Sequence, residues 1–317
     1  IFIATLLTHL FGGSAGREGA ALQLGGSIGN SLGKLFHFDE KDQHIMIMCG
    51  MSAAFSALFG TPLAAAVFSM EVVSVGIMHY SALVPCVIAS LTAHGIASAC
   101  GITPEIFPIA SIPAFTAKNA LIIGIFAVLC ALVSILFCTT LHNAERLYKR
   151  FFKNPYVRAL AGGLIVIGLT MLVGNQTYNG TGMNIITGCM EGKTVFPLAF
   201  LLKMVFTAAT LGAGYKGGEI VPTLFIGSTF GTFFASAFGC SIPLCAAVGM
   251  GAVFCGVTNS PITSLMICFE LFGFDGMPYF LIAIALSYML SGYYGLYSSQ
   301  KIIYSKYKTE YINRKTH

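Results

Sequence analysis

Of 317 residues, 56% are hydrophobic and only 9% charged, with a mean hydropathy of +0.81. A soluble domain carries about 25% charged residues, so this balance excludes one and points to a membrane. The net charge of +5 does not require a nucleic-acid partner, because the basic residues gather in two short segments, 143–158 and 301–317.

The chain opens at Ile1 inside an apolar segment, with no basic region of a signal peptide ahead of it. It reads as a piece lacking its first helices. Gly16-Arg17-Glu18-Gly19 follows, then a Gly-rich helix with Gly25, Gly29 and Gly33 four residues apart. That spacing lets helix backbones approach closely. A polar break at 34–44 separates it from a helix-break-helix over 45–75, interrupted at Gly60-Thr61-Pro62. With the apolar run 81–99 these segments make a first half, 1–113.

The second half, 114–291, begins near Lys118 with a long apolar helix to about Leu141. The basic loop 143–158, an apolar run at 159–173, a polar turn at 175–184 and a helix at 193–211 come next. The Gly-rich break 212–222 opens a helix to about Phe238, in which Gly227 and Gly231 repeat the close-packing spacing. Helices near 242–257, 261–272 and 277–291 complete the half. Residues 292–317 are expected to form a final helix and a tail. The runs 45–70, 81–99, 117–141, 159–173, 193–211, 222–238, 242–271 and 277–291 are of spanning character. Their Gly and Pro breaks predict tilted or re-entrant helices, because broken backbone survives at membrane depth only where protein or water satisfies it. The positive-inside rule places 143–158 and the tail in the cytoplasm. The ten cysteines have no metal-ligand spacing and read as small core residues.

Two stretches repeat. Gly16, Leu22, Gly25 and Gly29 match Gly218, Leu224, Gly227 and Gly231. Gly50, Met51, Ala53, Phe55, Pro62 and Glu71 match Gly249, Met250, Ala252, Phe254, Pro261 and Glu270. Weak internal symmetry with broken apolar segments in both halves is the mark of a transporter whose site lies at the repeat interface.

Glu18 is then the first candidate. A carboxylate at the centre of a span costs about 2.5–3.5 kcal/mol, and a helix N-terminus returns only about 0.3–2 kcal/mol. Such a group exchanges readily with a proton or a competing anion; the plainer reading is a carboxylate paired with Arg17. In the second break, Gly218-Glu219-Ile220-Val221-Pro222, the N–H groups of Ile220 and Val221 would point where those after Glu18 point. Gly19, Glu219, Ile220 and Val221 are therefore candidate anion contacts, although Lys216 could simply neutralise Glu219. Tyr297 offers a neutral donor near the start of the final helix. Glu71 and Glu270 read as helix-end hydrogen-bonding or ion-paired groups rather than proton relays.

Gly12-Gly13-Ser14-Ala15-Gly16, with His9 nearby, fits the pattern of a hydrolase nucleophile elbow. That elbow needs a strand-turn-helix, and this one lies between apolar helices, so no enzyme is expected. Asn175 and Asn179 begin glycosylation sequons that carry little weight without a secretory context.

At these residues the chain resembles the CLC chloride channel/transporter family. Gly16-Arg17-Glu18-Gly19 is similar to its GREGP motif, with Ala20 for proline. Gly218-Glu219-Ile220-Val221-Pro222 is similar to its GxFxP motif, with Ile220 for Phe. The implied fold is an all-α polytopic membrane protein, a CLC-like inverted repeat with tilted, broken and re-entrant helices in one domain, 1–317. Glu71 is followed by Val72, where chloride/proton exchangers have a second acid. The GGE-x-x-P form and the GLYSSQ ending resemble the bacterial fluoride/proton antiporter branch; that branch often has Thr where Val221 stands here. The resemblance implies gating and proton transfer by Glu18 and roles in transport for Glu219 and Tyr297. It also implies a homodimer in a cell membrane that exchanges fluoride for protons, with neither cofactor nor metal. The alternative is a chloride/proton exchanger or passive chloride channel of the same fold.

Overall fold

A computed structural model describes residues 1–104, 106–109 and 111–316. Helix α1 (Phe2–Leu10) leads through a seven-residue loop to α2 (Glu18–Leu35). Asp39 starts α3 (Glu40–Phe59), accepting from the Asp42 N–H at 2.8 Å, a standard N-cap. Gly60, left-handed at φ 70°, ends α3, and Pro62 sits in the first turn of α4 (Pro62–Glu71). The predicted break is thus a helix stop and a helix start placed back to back. A 3₁₀ turn (Tyr80–Ala82) and α5 (Leu83–Ala99) complete the first half.

The second half is α6 (Ala117–Phe151), α7 (Pro155–Val173), α8 (Met183–Met190), α9 (Ala199–Gly212), α10 (Ile220–Phe238), α11 (Ile242–Thr258), α12 (Pro261–Phe272) and α13 (Met277–Leu290). Helix α6 does not stop near Leu141: it runs through most of the expected basic loop. Its 35 residues span about 52 Å, against about 30 Å of hydrocarbon. The added turns carry the strong helix formers Ala144, Glu145, Arg146, Leu147, Lys149 and Arg150, with Lys149 bridging Glu145 at 2.5 Å, and Asn154-Pro155 then begins the next helix.

The expected final helix at 292–317 is corrected. Beyond Gly292 the chain forms β2 (Lys301–Tyr304) and β3 (Tyr311–Lys315), an antiparallel pair, with β2 also parallel to the short β1 (Ser74–Val75). The β-branched and aromatic run Ile302-Ile303-Tyr304 favours a strand. Lys306 fastens the hairpin, donating to Asn259 Oδ1, Tyr288 O and Ser291 Oγ.

The two repeats pack alike. In the first, Gly25 and Gly29 of α2 lie against the carbonyls of Gly50 and Met46 on α3; in the second, Gly227 and Gly231 of α10 lie against those of Gly249 and Cys245 on α11. Burial separates the helices by task. Residues 220–232 of α10 and 244–258 of α11 are continuously buried, whereas α7 buries only Gly162 and Val166 and leaves Leu160, Leu164, Met171 and Leu172 exposed. The first pair forms the centre, and α7 has the lipid-facing character of a peripheral span. Among the described residues, four helical stretches are long and apolar enough to cross a bilayer: Tyr80–Ala99, Ala117–Phe151, Pro155–Val173 and Ile220–Phe238.

Candidate functional site

The two broken backbones meet. Gly16 N–H donates to Gly218 O at 2.7 Å, and Gly218 N–H donates to Gly16 O at 2.7 Å, a single antiparallel bridge between the loops that precede α2 and α10. These are the glycines that head the sequence repeat. A Cβ on Gly16 would overlap the Glu18 carboxylate, and one on Gly218 would press on that carboxylate and on the Gly19 N–H. Only glycine leaves room for the crossing.

Glu18 is the first residue of α2 and is 2% exposed. Arg17 is exposed and does not pair with it; among the described residues the ion pairs are Lys149–Glu145 and Lys193–Glu191. Instead the carboxylate curls back among the N–H groups of Arg17 and Glu18 and, from the other half, of Val221. It therefore sits where two helix N-termini converge, the environment that suits an anion. The donors do not satisfy it fully: Oε2 is buried without a hydrogen-bond partner. An orphaned buried acceptor costs about 1–3 kcal/mol, and a proton on the carboxyl, or replacement of the carboxylate by a free anion, would relieve it.

Around this point the sequence-predicted residues gather. Ile220 and Val221 are buried in the first turn of α10, and Gly19 adjoins Gly218. Glu219 caps α10, with its carboxylate against its own N–H and within electrostatic reach of Glu18. Lys216 is exposed and forms no ion pair with it. Tyr297 shares an 890 Å³ cavity with Glu219 and Gly19 and lies within electrostatic reach of both Glu219 and Glu18. It stands in a loop, not at a helix start. Gln300 holds that loop, donating to Val72 O and Thr258 O, both at 2.8 Å, while accepting from Asn259 at 3.0 Å.

Glu71 and Glu270 are helix-end groups of a particular kind. Glu71 accepts from Ile262 N–H (3.1 Å), Thr263 N–H (2.8 Å) and Thr263 Oγ1 (2.6 Å), capping α12. Glu270 accepts from Leu63 N–H (2.9 Å) and Ala64 N–H (2.8 Å), capping α4. Each acid closes a helix of the opposite repeat.

Lys203 escaped the sequence reading. It is fully buried on α9, donates to Tyr178 O (3.1 Å) and Gly180 O (2.7 Å), and stands 5.1 Å from the Phe225 ring centre, within electrostatic reach of Glu18. Its signal is a cation in the middle of the apolar run 193–211. Ser14 is no nucleophile: its hydroxyl bonds Thr207 at 3.1 Å, and His9 bonds the carbonyl of Gly16 at 3.2 Å. All ten cysteines are free, and no group of side chains among the described residues could hold a metal.

Comparison with known proteins bears on this arrangement. A family model for the voltage gated chloride channel matches residues 1–292. The chain is 34% identical over 313 residues to a chloride/fluoride channel protein of Pseudomonas syringae pv. tomato, covering 97% of this chain and 69% of that one. It superposes with a TM-score of 0.91 on a CLC-type fluoride/proton antiporter, at 36% identity, over 94% of this chain and 75% of the other. A slow cyanobacterial Cl⁻/H⁺ antiporter shares the fold, with a TM-score of 0.72 and 22% identity over 90% of this chain and 70% of its own.

Proposed function

The chain belongs to the voltage gated chloride channel family, and we propose that it is a fluoride/proton antiporter that exports fluoride using the inward proton gradient. The observation that carries this reading is the Glu18 carboxylate lodged between two helix N-termini with one oxygen unpartnered. An acid in that position is its own competitor. Ionised, it fills the anion place; protonated, its charge no longer competes and it becomes a hydrogen-bond donor. Exchange of one anion for one proton at a single place is then a physical consequence, with Glu18 as the gating and proton-carrying group. Val221 N–H, Gly19 N–H, Ile220 N–H, Glu219 and Tyr297 line the anion's route.

Fluoride is favoured over chloride by two considerations. A small, strongly hydrated ion needs strong donors to replace its water, and a protonated carboxyl supplies one where backbone N–H groups alone are weaker. The two relatives at 34% and 36% identity carry fluoride in their names, which supports the same ion. We further propose a homodimer with one pathway in each subunit, in a cell membrane, with the 143–158 segment and the C-terminal hairpin on the cytoplasmic side.

The test is efflux from proteoliposomes with fluoride and pH electrodes read together. Fluoride leaving down its gradient should draw protons inward, and Glu18→Gln should abolish that proton movement. Proton movement retained in Glu18→Gln would refute the gating role, and faster chloride-driven than fluoride-driven proton uptake would reassign the ion.

A further inference from the structure

Glu71 cannot pass protons onward, because all its hydrogen bonds are committed to α12. Another route is open. Two cavities, of 440 and 890 Å³, both reach Glu219, and both also reach Glu145, on the last turns of α6. Since a water molecule takes up about 30 Å³, each is roomy enough for a file of water. Glu145 is half exposed at the mouth, so it meets bulk solvent. It lies within electrostatic reach of Glu219, and Glu219 within reach of Glu18. Three carboxyl groups are thereby strung from the mouth to the unpartnered Oε2 of Glu18.

Resting on the antiport reading above, we propose that Glu145 is the proton-exchange acid at the basic-loop mouth of the molecule, connected through cavity water to Glu219 and thence to Glu18. In the export direction the Glu18 carboxylic acid gives its proton to the Glu219 carboxylate. Glu219 passes it along water to Glu145, and Glu145 releases it to bulk as hydronium. One proton moves per pass, no covalent bond other than O–H changes, and every carboxylate is restored.

The charged groups facing Glu145 suit an exchange point. Lys149 pairs with it at 2.5 Å on the same helix, and His142 lies one turn earlier, its Nε2 3.3 Å from the carbonyl of Leu296. Arg158 of α7 and Lys216 of the loop before α10 line the smaller cavity beside it, with Glu219 beyond. Proton uptake and release at Glu145 therefore occur in a cationic rim that also draws anions to the mouth. The plainer account is an ordinary surface ion pair at i and i+4 spacing, which contributes little.

The experiment uses the full chain in proteoliposomes, with fluoride-driven proton flux measured from pH 5.5 to 8 for wild type, Glu145→Gln and Lys149→Gln. Glu145→Gln should lower proton flux about tenfold at pH 8 and no more than about twofold at pH 5.5, where abundant hydronium bypasses the carboxyl. Fluoride flux should fall less, so the fluoride-to-proton ratio rises. Lys149→Gln, which breaks the same ion pair but keeps the carboxyl, should preserve the ratio. Equal loss of both fluxes at every pH, unchanged proton flux in Glu145→Gln, or a Lys149→Gln that copies it would each overturn the proposal. If wild type couples chloride instead of fluoride, the ion assignment fails, and the same pH signature read with chloride still decides the role of Glu145. A wild type that moves no protons overturns both.

Discussion

Two pairs of acids lie where the two repeats meet, and they have opposite circumstances. Glu71 and Glu270 end helices at equivalent positions, and each turns its carboxylate onto the N-terminus of a helix from the other half, with three and two hydrogen bonds respectively. Glu18 faces the N–H of Val221 from the other repeat, yet its Oε2 has no partner. Glu219 has only its own N–H. All four are carboxylates, and Glu71 is buried like Glu18, so residue type and burial do not separate the two kinds. The donor inventory does. A fully bonded carboxylate is fixed structure, whereas an incompletely bonded one is held loosely enough to exchange its place and its proton.

The comparison breaks most visibly if the pairs are exchanged by mutation. Glu18→Ala should eliminate fluoride-coupled proton movement, a loss of at least about 100-fold, on the scale of deleting a group that carries the proton itself. Its unfolding temperature in detergent should not fall, since a buried, incompletely bonded carboxylate is removed. Glu71→Ala should do the reverse. It strands two backbone donors and a hydroxyl, at a cost of about 2–4 kcal/mol read as a lowered unfolding temperature. Properly folded Glu71→Ala protein should still couple fluoride to protons. Glu270→Ala should cost about half as much, because it strands two donors at a less buried site. A Glu18→Ala that unfolds as easily as Glu71→Ala would erase the distinction.

Lys203 sharpens the same contrast from the cationic side. It is buried with two carbonyl partners and no carboxylate bonded to it, so its charge is available to the region around Glu18. Lys203→Met should raise the half-saturating fluoride concentration about tenfold, equivalent to about 1.4 kcal/mol. Lys203→Arg should not fully restore it, since a planar guanidinium does not replace a compact ammonium. An unchanged fluoride dependence in Lys203→Met would reduce the residue to a tie between α9 and the 178–180 turn.

Much of this geometry was legible in the chain. The repeat that begins at Gly16 and Gly218 picked out the two residues that bridge the halves, and the breaks at Gly60-Thr61-Pro62 and 212–222 appear where the glycines and prolines stand. The close packing at Gly25, Gly29, Gly227 and Gly231 follows from steric need, and Gly33, read the same way, lies against Gln43, chiefly its side chain, with no backbone carbonyl against it. What stayed hidden depends on partners far away in sequence. That Glu71 meets Ile262 and Thr263, 191 and 192 residues on, is a fact of topology that no local pattern carries. The C-terminal hairpin stays hidden because its strands are only four and five residues long and β2 docks on β1, a two-residue strand far earlier in the chain. The extension of α6 stays hidden because a basic, polar stretch resembles a loop in composition, though its Glu, Arg, Leu and Lys residues all favour a helix.

The smallest effect belongs to Tyr297. Its loop is held by Gln300, not by its own hydroxyl, which has no hydrogen-bond partner among the described residues and opens to the cavity shared with Glu219. Tyr297→Phe keeps the ring and deletes one donor, so the unfolding temperature should remain within about a degree. Fluoride turnover should fall only about three- to tenfold, the equivalent of one modest hydrogen bond of about 0.5–1.5 kcal/mol. Gln300→Leu supplies the opposite control: it frees the loop, removes the Gln300 donor from the carbonyl of Val72, leaves that of Thr258 only the longer bond from Ser260 Oγ at 3.3 Å, and should cost stability as well as transport. If Tyr297→Phe lowered stability as Gln300→Leu does, the hydroxyl would belong with Glu71 and Glu270, among the groups that hold the protein together, and not with the groups that meet the ion.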